Sequence, residues 1–146
     1  MSGRSRAHLE GEQLPHGYTN RTVRIGDEVL KTYAGPQAGE RWRREIAALT
    51  LLAGRVPVPP LVGAPEDGLR TRWIAGAHGQ DLIDAGSAAE VLHACGGLLR
   101  HLQTIELPPT AGLPGASSGV LVHGDFGPNN VLMTPTFGIA AVVDWE

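Results

Sequence analysis

The sequence predicts an α+β fold in which strand-rich and helix-rich segments are separated along the chain. Over 146 residues the order is strands, helix, strand, a glycine-rich crossing, helix and hairpin-like strands. A βαβ protein would instead alternate strands and helices regularly. Apolar residues make up 42% of the chain and charged residues 18%, which is typical of a globular protein with a real hydrophobic core.

The N-terminal region predicts a β-hairpin. Residues 1–12 are expected to form a polar lead-in, and residues 14–18 are a candidate first strand. The runs 22–25 and 29–33 are rich in β-branched and aromatic residues, and Gly26-Asp27 between them supplies turn chemistry. We therefore expect two antiparallel strands here.

A helix is predicted after the breakers Gly35 and Pro36. In "QAGERWRREIAALTLLAG" four apolar residues recur at helical spacing, and Gly54 is a natural C-terminal stop. The four are Trp42, Ile46, Leu49 and Leu52. The prolines of "VPVPPLVG" favour an extended chain, and residues 69–74 predict another strand.

The glycine-rich stretch "AGAHGQDLIDAG" is expected to cross between two lobes, residues 1–76 and residues 77–146. A second helix is predicted in "SAAEVLHACGGLLRHLQTIEL", where Ser87 and Glu90 have the spacing of a capping box. Its expected buried stripe includes Val91, Leu98 and Leu102.

The closing stretch predicts three strands, "VLVHGD", "NVLMT" and "IAAVVDWE", with a loop and the turn "PTFG" between them. The last strand is a nearly continuous apolar run, which normally marks a strand covered on both faces. The second helix can cover one face. We expect the other face to be uncovered, so that the chain alone is marginally stable or self-associates through this strand.

Three oxygen-bearing side chains are expected to converge in that stretch. Asp125 and Asn130 lie five residues apart on one loop, and the turn before the last strand brings Asp144 back toward them. Carboxylate and amide oxygens suit a hard cation such as Mg²⁺. Phosphoryl transfer needs such a metal and one further carboxylate that accepts the proton of the attacking hydroxyl. The protein-kinase signature has the same Asp, Asn and Asp skeleton.

These residues have two alternative interpretations. Gly-Asp is ordinary turn chemistry, so a solvated turn is the plain alternative; the Asn, the Pro, the strand context and the final Asp-Trp-Glu all weigh against it. A zinc or dimetal hydrolase needs several convergent ligands, and the remaining histidines lack ligand spacing. The single cysteine, Cys95, excludes an internal disulfide and multi-cysteine zinc patterns.

"HGDFGPNNVL" followed by "VVDWE" resembles the aminoglycoside phosphotransferase and choline kinase family. The resemblance implies a protein-kinase-like two-lobed fold, with an N-terminal antiparallel sheet plus helix and a C-terminal lobe that is incomplete in this chain. It implies that Asp125 is the catalytic base and that His123 holds the loop in shape. Asn130 and Asp144 would be the Mg²⁺ ligands.

A kinase-like enzyme also needs a strand lysine that pairs with nucleotide phosphates and a helix glutamate that holds it. Lys31 and Glu45 occur in the right order and context, although each alone would pass for a solvated charge. In "PHGYTNRT", Gly17 and Asn20 resemble a sparse form of the family's phosphate-covering loop. Backbone around residues 73–76 would read the nucleobase.

The resemblance implies an enzyme that uses ATP or GTP with Mg²⁺ to phosphorylate a hydroxyl of a small molecule, such as an aminoglycoside, an amino alcohol or a sugar. The alternative is a shortened kinase-like module that binds nucleotide or a partner protein without turnover. A net charge of −3 gives no general attraction for nucleic acid or an anionic membrane. Without a signal peptide or a membrane-spanning run, a cytoplasmic protein is expected.

Overall fold

The computed structural model describes residues 11–13, 20–66, 68–108 and 121–146. Eight strands, three α-helices and one 3₁₀ turn occur in these ranges. In chain order they are β1 Glu12–Gln13, β2 Arg21–Ile25, β3 Glu28–Thr32, α1 Ala38–Leu52, β4 Leu61–Gly63, β5 Gly68–Arg72, β6 Ala77–His78, α2 Gly79–Asp84, α3 Ala88–Leu102, the 3₁₀ turn Pro128–Asn130, β7 Val131–Met133 and β8 Ile139–Val142. None of the described helices is long and apolar enough to cross a membrane.

The first five strands form one antiparallel sheet in the order β1-β2-β3-β5-β4. The predicted hairpin is confirmed, with Thr22 opposite Lys31 and a positive φ of 64° at Gly26 in the turn. The lead-in prediction is wrong at its end, because Glu12 pairs with Arg24 in the sheet. The candidate strand 14–18 lies outside the described residues.

Helix α1 confirms the first predicted helix and packs on this sheet. Its buried side chains are Glu45, Ala48, Leu49 and Leu52. Trp42 donates from Nε1 to the carbonyl of Gly68 at 2.7 Å, which fixes the helix against β5. Gly54, just beyond the helix, has a φ of 75° that suits glycine.

The glycine-rich crossing is more ordered than we predicted, since it contains β6 and α2. A Cβ at Gly79 would lie 2.9 Å from the carbonyl oxygen of Pro128. The glycine therefore permits close packing of α2 against the 3₁₀ turn. β6, β7 and β8 form a second antiparallel sheet. The two sheets divide between residues 72 and 77, but the lobe boundary at residue 76 stays a prediction.

Helix α3 confirms the second predicted helix, but its capping box is absent. The Ser87 side chain makes no capping hydrogen bond to the first turn of the helix. In a capping box the Glu90 side chain would accept a hydrogen bond from the Ser87 amide. That amide donates instead to the carbonyl of Leu82 at 2.9 Å. Burial follows the predicted stripe of Val91, Leu98 and Leu102.

The first of the three closing strands does not form in the described residues 121–125. The carbonyl of Val143 accepts a hydrogen bond from the His123 side chain at 2.7 Å, in place of a backbone amide from a neighbouring strand. The last strand is also shorter than predicted, because Asp144 has a φ of 60° that ends the extended chain after β8.

The expectation of an uncovered face on the last strand is wrong. Ala141 and Val142 point to opposite faces of the sheet, and both are 0% exposed. Val142 belongs to the main core with side chains of α1 and α3. Exposed large apolar side chains occur elsewhere in the described chain, including Leu92, Leu99 and Val122. Self-association through β8 therefore loses its physical basis.

Candidate active site

Lys31 brings three carboxylates together between the two sheets. Its Nζ lies 2.8 Å from Glu45 Oε2, 2.5 Å from Asp144 Oδ1 and 2.8 Å from Glu146 Oε1. Glu45 comes from α1, whereas the other two follow β8. Only 9% of the Lys31 side chain is exposed. The structure thus joins Lys31, Glu45 and Asp144, which the sequence had singled out separately.

These contacts keep Lys31 charged. Burial alone would lower the pKa of Lys31, but the carboxylates of Glu45 and Asp144 hold that pKa above its ordinary value. Burial likewise acts to raise the pKa of Glu146, yet Lys31 and Arg41 hold it below the usual range. Lys31 and Glu146 are therefore both charged in this cluster.

Tyr33 orients the glutamate of this cluster. Its hydroxyl donates to Glu45 Oε2, the same oxygen that Lys31 contacts. Burial, together with Glu45, raises the pKa of Tyr33, so the phenol stays protonated and remains a donor. The Lys31 ammonium also lies 5.2 Å from the centre of the Tyr33 ring. Glu45 is thus held from two sides.

Arg41, Asn20 and Glu146 form a second group of contacts beside Lys31. Asn20 is buried, and its amide donates to Glu146 Oε1 and accepts from Arg41. Sequence reasoning gave no role to Arg41 or Glu146. The available signals were that Arg41 precedes Glu45 by four residues, on one face of α1, and that Glu146 follows Asp144 by two. Gly17, the other residue predicted in the phosphate loop, lies outside the described residues.

The loop after residue 121 places Asp125 beside Asn130. The Asn130 side-chain nitrogen donates to the Asp125 carbonyl at 2.9 Å and to its carboxylate at 3.3 Å. His123 Nδ1 accepts from the Asp125 amide at 3.3 Å, so its Nε2 carries the proton donated to Val143. His123 is buried, whereas Asp125 is exposed to solvent.

The segment after β8 is fixed to this loop. The Val143 amide donates to the Asn130 carbonyl at 2.9 Å. The Trp145 ring packs 4.5 Å from the His123 ring, and its Nε1 donates to the carbonyl of Val142. Asp144, between these anchors, therefore turns toward Lys31 while Trp145 turns into the core.

Some of the predicted site residues line a cleft between the two sheets. Its lining includes Lys31, Glu45, Asn130 and Asp144, with apolar side chains such as Val29, Leu69, Ile74 and Leu132. In the described chain, His123, Asp125 and Asn20 do not line it. The backbone near residues 73–76 borders the cleft, but the Trp73 amide already donates to the Asp27 carbonyl at 2.8 Å. The Trp73 amide is therefore already paired within the protein.

Asn130 and Asp144 fit a hard divalent cation by their chemistry. The Asn130 nitrogen is engaged by Asp125, which leaves Oδ1 to face a cation. The Asp144 carboxylate is 39% exposed and contacts Lys31 through Oδ1, so its second oxygen remains for coordination. Groups of three or more His, Cys, Asp or Glu side chains that could hold a metal are absent from the described ranges.

The fold is that of kinase-like phosphotransferases. The structure aligns with the aminoglycoside phosphotransferase APH(2″)-Ib bound to ADP at a TM-score of 0.74 and 14% identity, over 93% of this chain and 65% of that one. APH(2″)-IIa, solved with streptomycin and ATP, aligns at a TM-score of 0.72 and 14% identity, over 93% of this chain and 65% of that one. Macrolide 2′-phosphotransferase MphH from Brachybacterium faecium aligns at a TM-score of 0.63 and 19% identity, over 88% of this chain and 63% of that one. The predicted kinase-like fold is confirmed.

No curated protein matches the sequence. The chain spans 65% of the length of the first two aminoglycoside phosphotransferases named above. A sequence model of the phosphotransferase enzyme family, APH, matches residues 10–119, which is well over half of the chain. Together with the kinase-like structure, this match identifies the chain as a member of the APH phosphotransferase family.

Proposed function

We propose that this chain carries the nucleotide-binding and catalytic residues of an enzyme that transfers the γ-phosphate of ATP or GTP to a hydroxyl of a small molecule. The observation that supports it best is Lys31, held by Glu45 on one side and touching Asp144 on the other. A phosphotransferase needs this lysine charged and fixed, because it neutralises phosphate oxygens. We further propose that residues 1–76 and 77–146 are the two lobes that close on the nucleotide.

In this proposal the cleft receives the nucleotide. The apolar side chains of Val29, Leu69 and Leu132 would enclose the base, and Lys31 would take the phosphates. Phosphate oxygens would then replace Asp144 on the Lys31 ammonium, while Glu45, fixed by Tyr33, keeps the lysine in place. Asn130 and Asp144 would hold Mg²⁺, which supplies further charge neutralisation when bound.

Asp125 would act as the general base. Its carboxylate is solvent-exposed and therefore accessible to an acceptor hydroxyl. The Asn130 side-chain amide orients this carboxylate by donating a hydrogen bond to it. In the transfer, the hydroxyl oxygen bonds to the γ-phosphorus as the bond to the leaving nucleoside diphosphate breaks. The hydroxyl proton passes to Asp125. His123 would hold the loop by its two hydrogen bonds and would not touch the substrate.

The test is a paired measurement of nucleotide binding and phosphate transfer. Calorimetry with ATP and with GTP, each with and without Mg²⁺, should give Mg²⁺-dependent binding to the purified chain. Transfer from γ-labelled nucleotide is then followed against aminoglycosides, macrolides, amino alcohols and sugars. Binding with acceptor-dependent transfer supports the enzyme. Binding without transfer to any acceptor supports the non-catalytic module. The proposal fails if neither nucleotide binds.

A further inference from the structure

The 3₁₀ turn Pro128–Asn130 is fixed by hydrogen bonds to two other parts of the chain. At its end, the Asn130 carbonyl accepts from the Val143 amide at 2.9 Å. One residue earlier, the Asn129 carbonyl accepts from His78 Nδ1 at 2.9 Å. A carbonyl oxygen can only accept, so His78 Nδ1 carries the proton. His78 therefore holds the turn through the residue that precedes Asn130.

Gly79, the next residue after His78, lets the chain approach this turn closely. It is buried, and a Cβ at this position would lie 2.9 Å from the Pro128 carbonyl oxygen and 3.3 Å from the Pro128 Cα. The same Cβ would lie 3.2 Å from Val91 Cγ1 on α3. A larger residue would have to push the turn away or displace α3. We name His78 and Gly79 together the turn seat.

The turn seat lies beside Asn130 in the fold. His78 is opposite Leu132 in the ladder of β6 and β7, and Leu132 follows Asn130 by two residues. His78, Asn129 and Asn130 all line the cleft between the two sheets. The Asn130 side-chain nitrogen is engaged by Asp125, so the direction of its Oδ1 depends on where the turn lies.

We propose that His78 is a positioning residue: with Gly79 it seats the turn so that the Asn130 amide meets Asp125 and Asn130 Oδ1 is presented to the cleft. Its consequence for Mg²⁺ rests on the proposed function, in which Asn130 is a metal ligand. The geometric part does not, because the contact between Asn130 and Asp125 is measurable without nucleotide or metal. Without the His78 donor, the turn shifts and the Asn130 side chain leaves Asp125 more often.

The comparison of His78→Asn with His78→Leu isolates the hydrogen bond. Asparagine and leucine have nearly the same shape, but only asparagine places an N–H donor close to the position of Nδ1. His101→Leu is the matched control, because His101 Nε2 also donates to a backbone carbonyl, that of Arg55 at 2.7 Å. That hydrogen bond joins α3 to the segment after α1, so its loss leaves the turn seat intact. A general effect of losing a histidine hydrogen bond would appear in both leucine variants.

Nuclear magnetic resonance of the isotope-labelled chain without nucleotide gives the first readout. The measured quantity is the exchange with water of the Asn130 side-chain amide protons, which are donated to Asp125. His78→Leu should speed this exchange about two- to tenfold, the range that corresponds to the loss of one hydrogen bond. His78→Asn and His101→Leu should keep the parent rate. An unchanged rate in His78→Leu, or equal acceleration in His101→Leu, would overturn the proposal.

Gly79→Ala tests the turn seat by its shape while His78 stays in place. The added methyl group would overlap the Pro128 carbonyl oxygen, so the turn must move and the Asn130 side-chain amide should again exchange faster. Circular dichroism verifies that each variant is folded at the assay temperature. The two variants disturb the turn in different ways, so either one decides the question if the other does not fold. Parent-like exchange in the folded variants refutes the role of the seat.

The Mg²⁺ requirement of nucleotide binding gives the second readout. Calorimetry over a range of Mg²⁺ concentrations should show that His78→Leu needs about 10- to 100-fold more Mg²⁺ for half-maximal binding, as is typical when the support of a metal ligand is lost. Binding without Mg²⁺ should not change, and His78→Asn should restore the parent requirement. A parent-like requirement in His78→Leu contradicts the proposal. If the parent chain binds no nucleotide but the Asn130 exchange responds as stated, the proposed function fails and the positioning role stands.

Discussion

Replacing Lys31 with methionine should destabilise the fold strongly, because it removes the cation that Glu45, Asp144 and Glu146 share. Methionine is close to lysine in length and keeps an apolar stem, so the main change is the loss of the positive charge. Glu45 is 4% exposed and would keep the Tyr33 hydroxyl as a donor without the ammonium. Removing one member of a buried ion pair costs about 3–5 kcal/mol. At roughly 3 °C per kcal/mol for a chain of this size, the melting temperature should fall by about 10–15 °C.

The dependence of stability on pH should also reverse between the parent and Lys31→Met. In the parent, the pKa of Glu146 is held low, so this carboxylate contributes stability that is present above the pKa of an unfolded glutamate and is lost as pH falls. In Lys31→Met, three carboxylates lie together without the ammonium. The folded variant then takes up protons more readily than the unfolded chain, so its stability decreases as pH rises.

Urea unfolding followed by circular dichroism, at about pH 5.5 and about pH 8, measures both effects. Arg70→Met is the matched control, because Arg70 forms an exposed pair with Glu28 on the same sheet and its loss should cost about 0–1 kcal/mol. The reasoning is refuted if Lys31→Met loses no more than Arg70→Met, or if its loss at the higher pH does not exceed its loss at the lower pH.

Three further predictions concern metal binding, turnover and the core. Asp144→Ala should abolish Mg²⁺-dependent nucleotide binding in calorimetry, and unchanged Mg-ATP binding would contradict the metal assignment. Asp125→Asn should lower turnover by about 10²- to 10⁴-fold while nucleotide affinity changes little; equal losses in both would argue against a base. Leu52→Ala, in the fully buried core, should lose about 2–5 kcal/mol in urea unfolding, whereas Leu92→Ala on the exposed face of α3 should stay within about 0.5 kcal/mol. Similar losses for the two leucine variants would contradict the burial pattern.

Local patterns predicted the fold well where a short stretch of sequence decides the structure. Gly26-Asp27 between two β-rich runs specifies the hairpin, and helical spacing from Trp42 to Leu52 specifies α1. The motif around Asp125 and Asp144 resembles that of a known family, and this resemblance implied the kinase-like fold. In each case neighbouring residues along the chain carry the information.

The misses depend on contacts that the spacing of residues along the chain does not reveal. The capping box at Ser87 failed because its amide bonds to Leu82, a partner that spacing cannot reveal. The stretch around His123 has strand-like alternation, yet its hydrogen bond runs from a ring nitrogen to Val143. Arg41 resembles any surface arginine until Glu146, 105 residues away, is seen beside it. Sequence reasoning singled out Lys31, Glu45 and Asp144, but it missed Glu146 and the contacts that orient these groups.

Asp144 has a left-handed backbone conformation, so fold stability favours glycine at this position, whereas the proposed binding role requires a carboxylate. A residue with a side chain in this conformation costs roughly 1–2 kcal/mol relative to a relaxed backbone, and glycine escapes most of that cost. Asp144→Gly should therefore be more stable than Asp144→Ala, although both lack the carboxylate. A library of variants selected only for folding would enrich glycine over alanine there, whereas selection for a cation- and phosphate-binding cleft would restore the acid. Residue 144 thus offers a direct comparison of the two selective pressures within one gene.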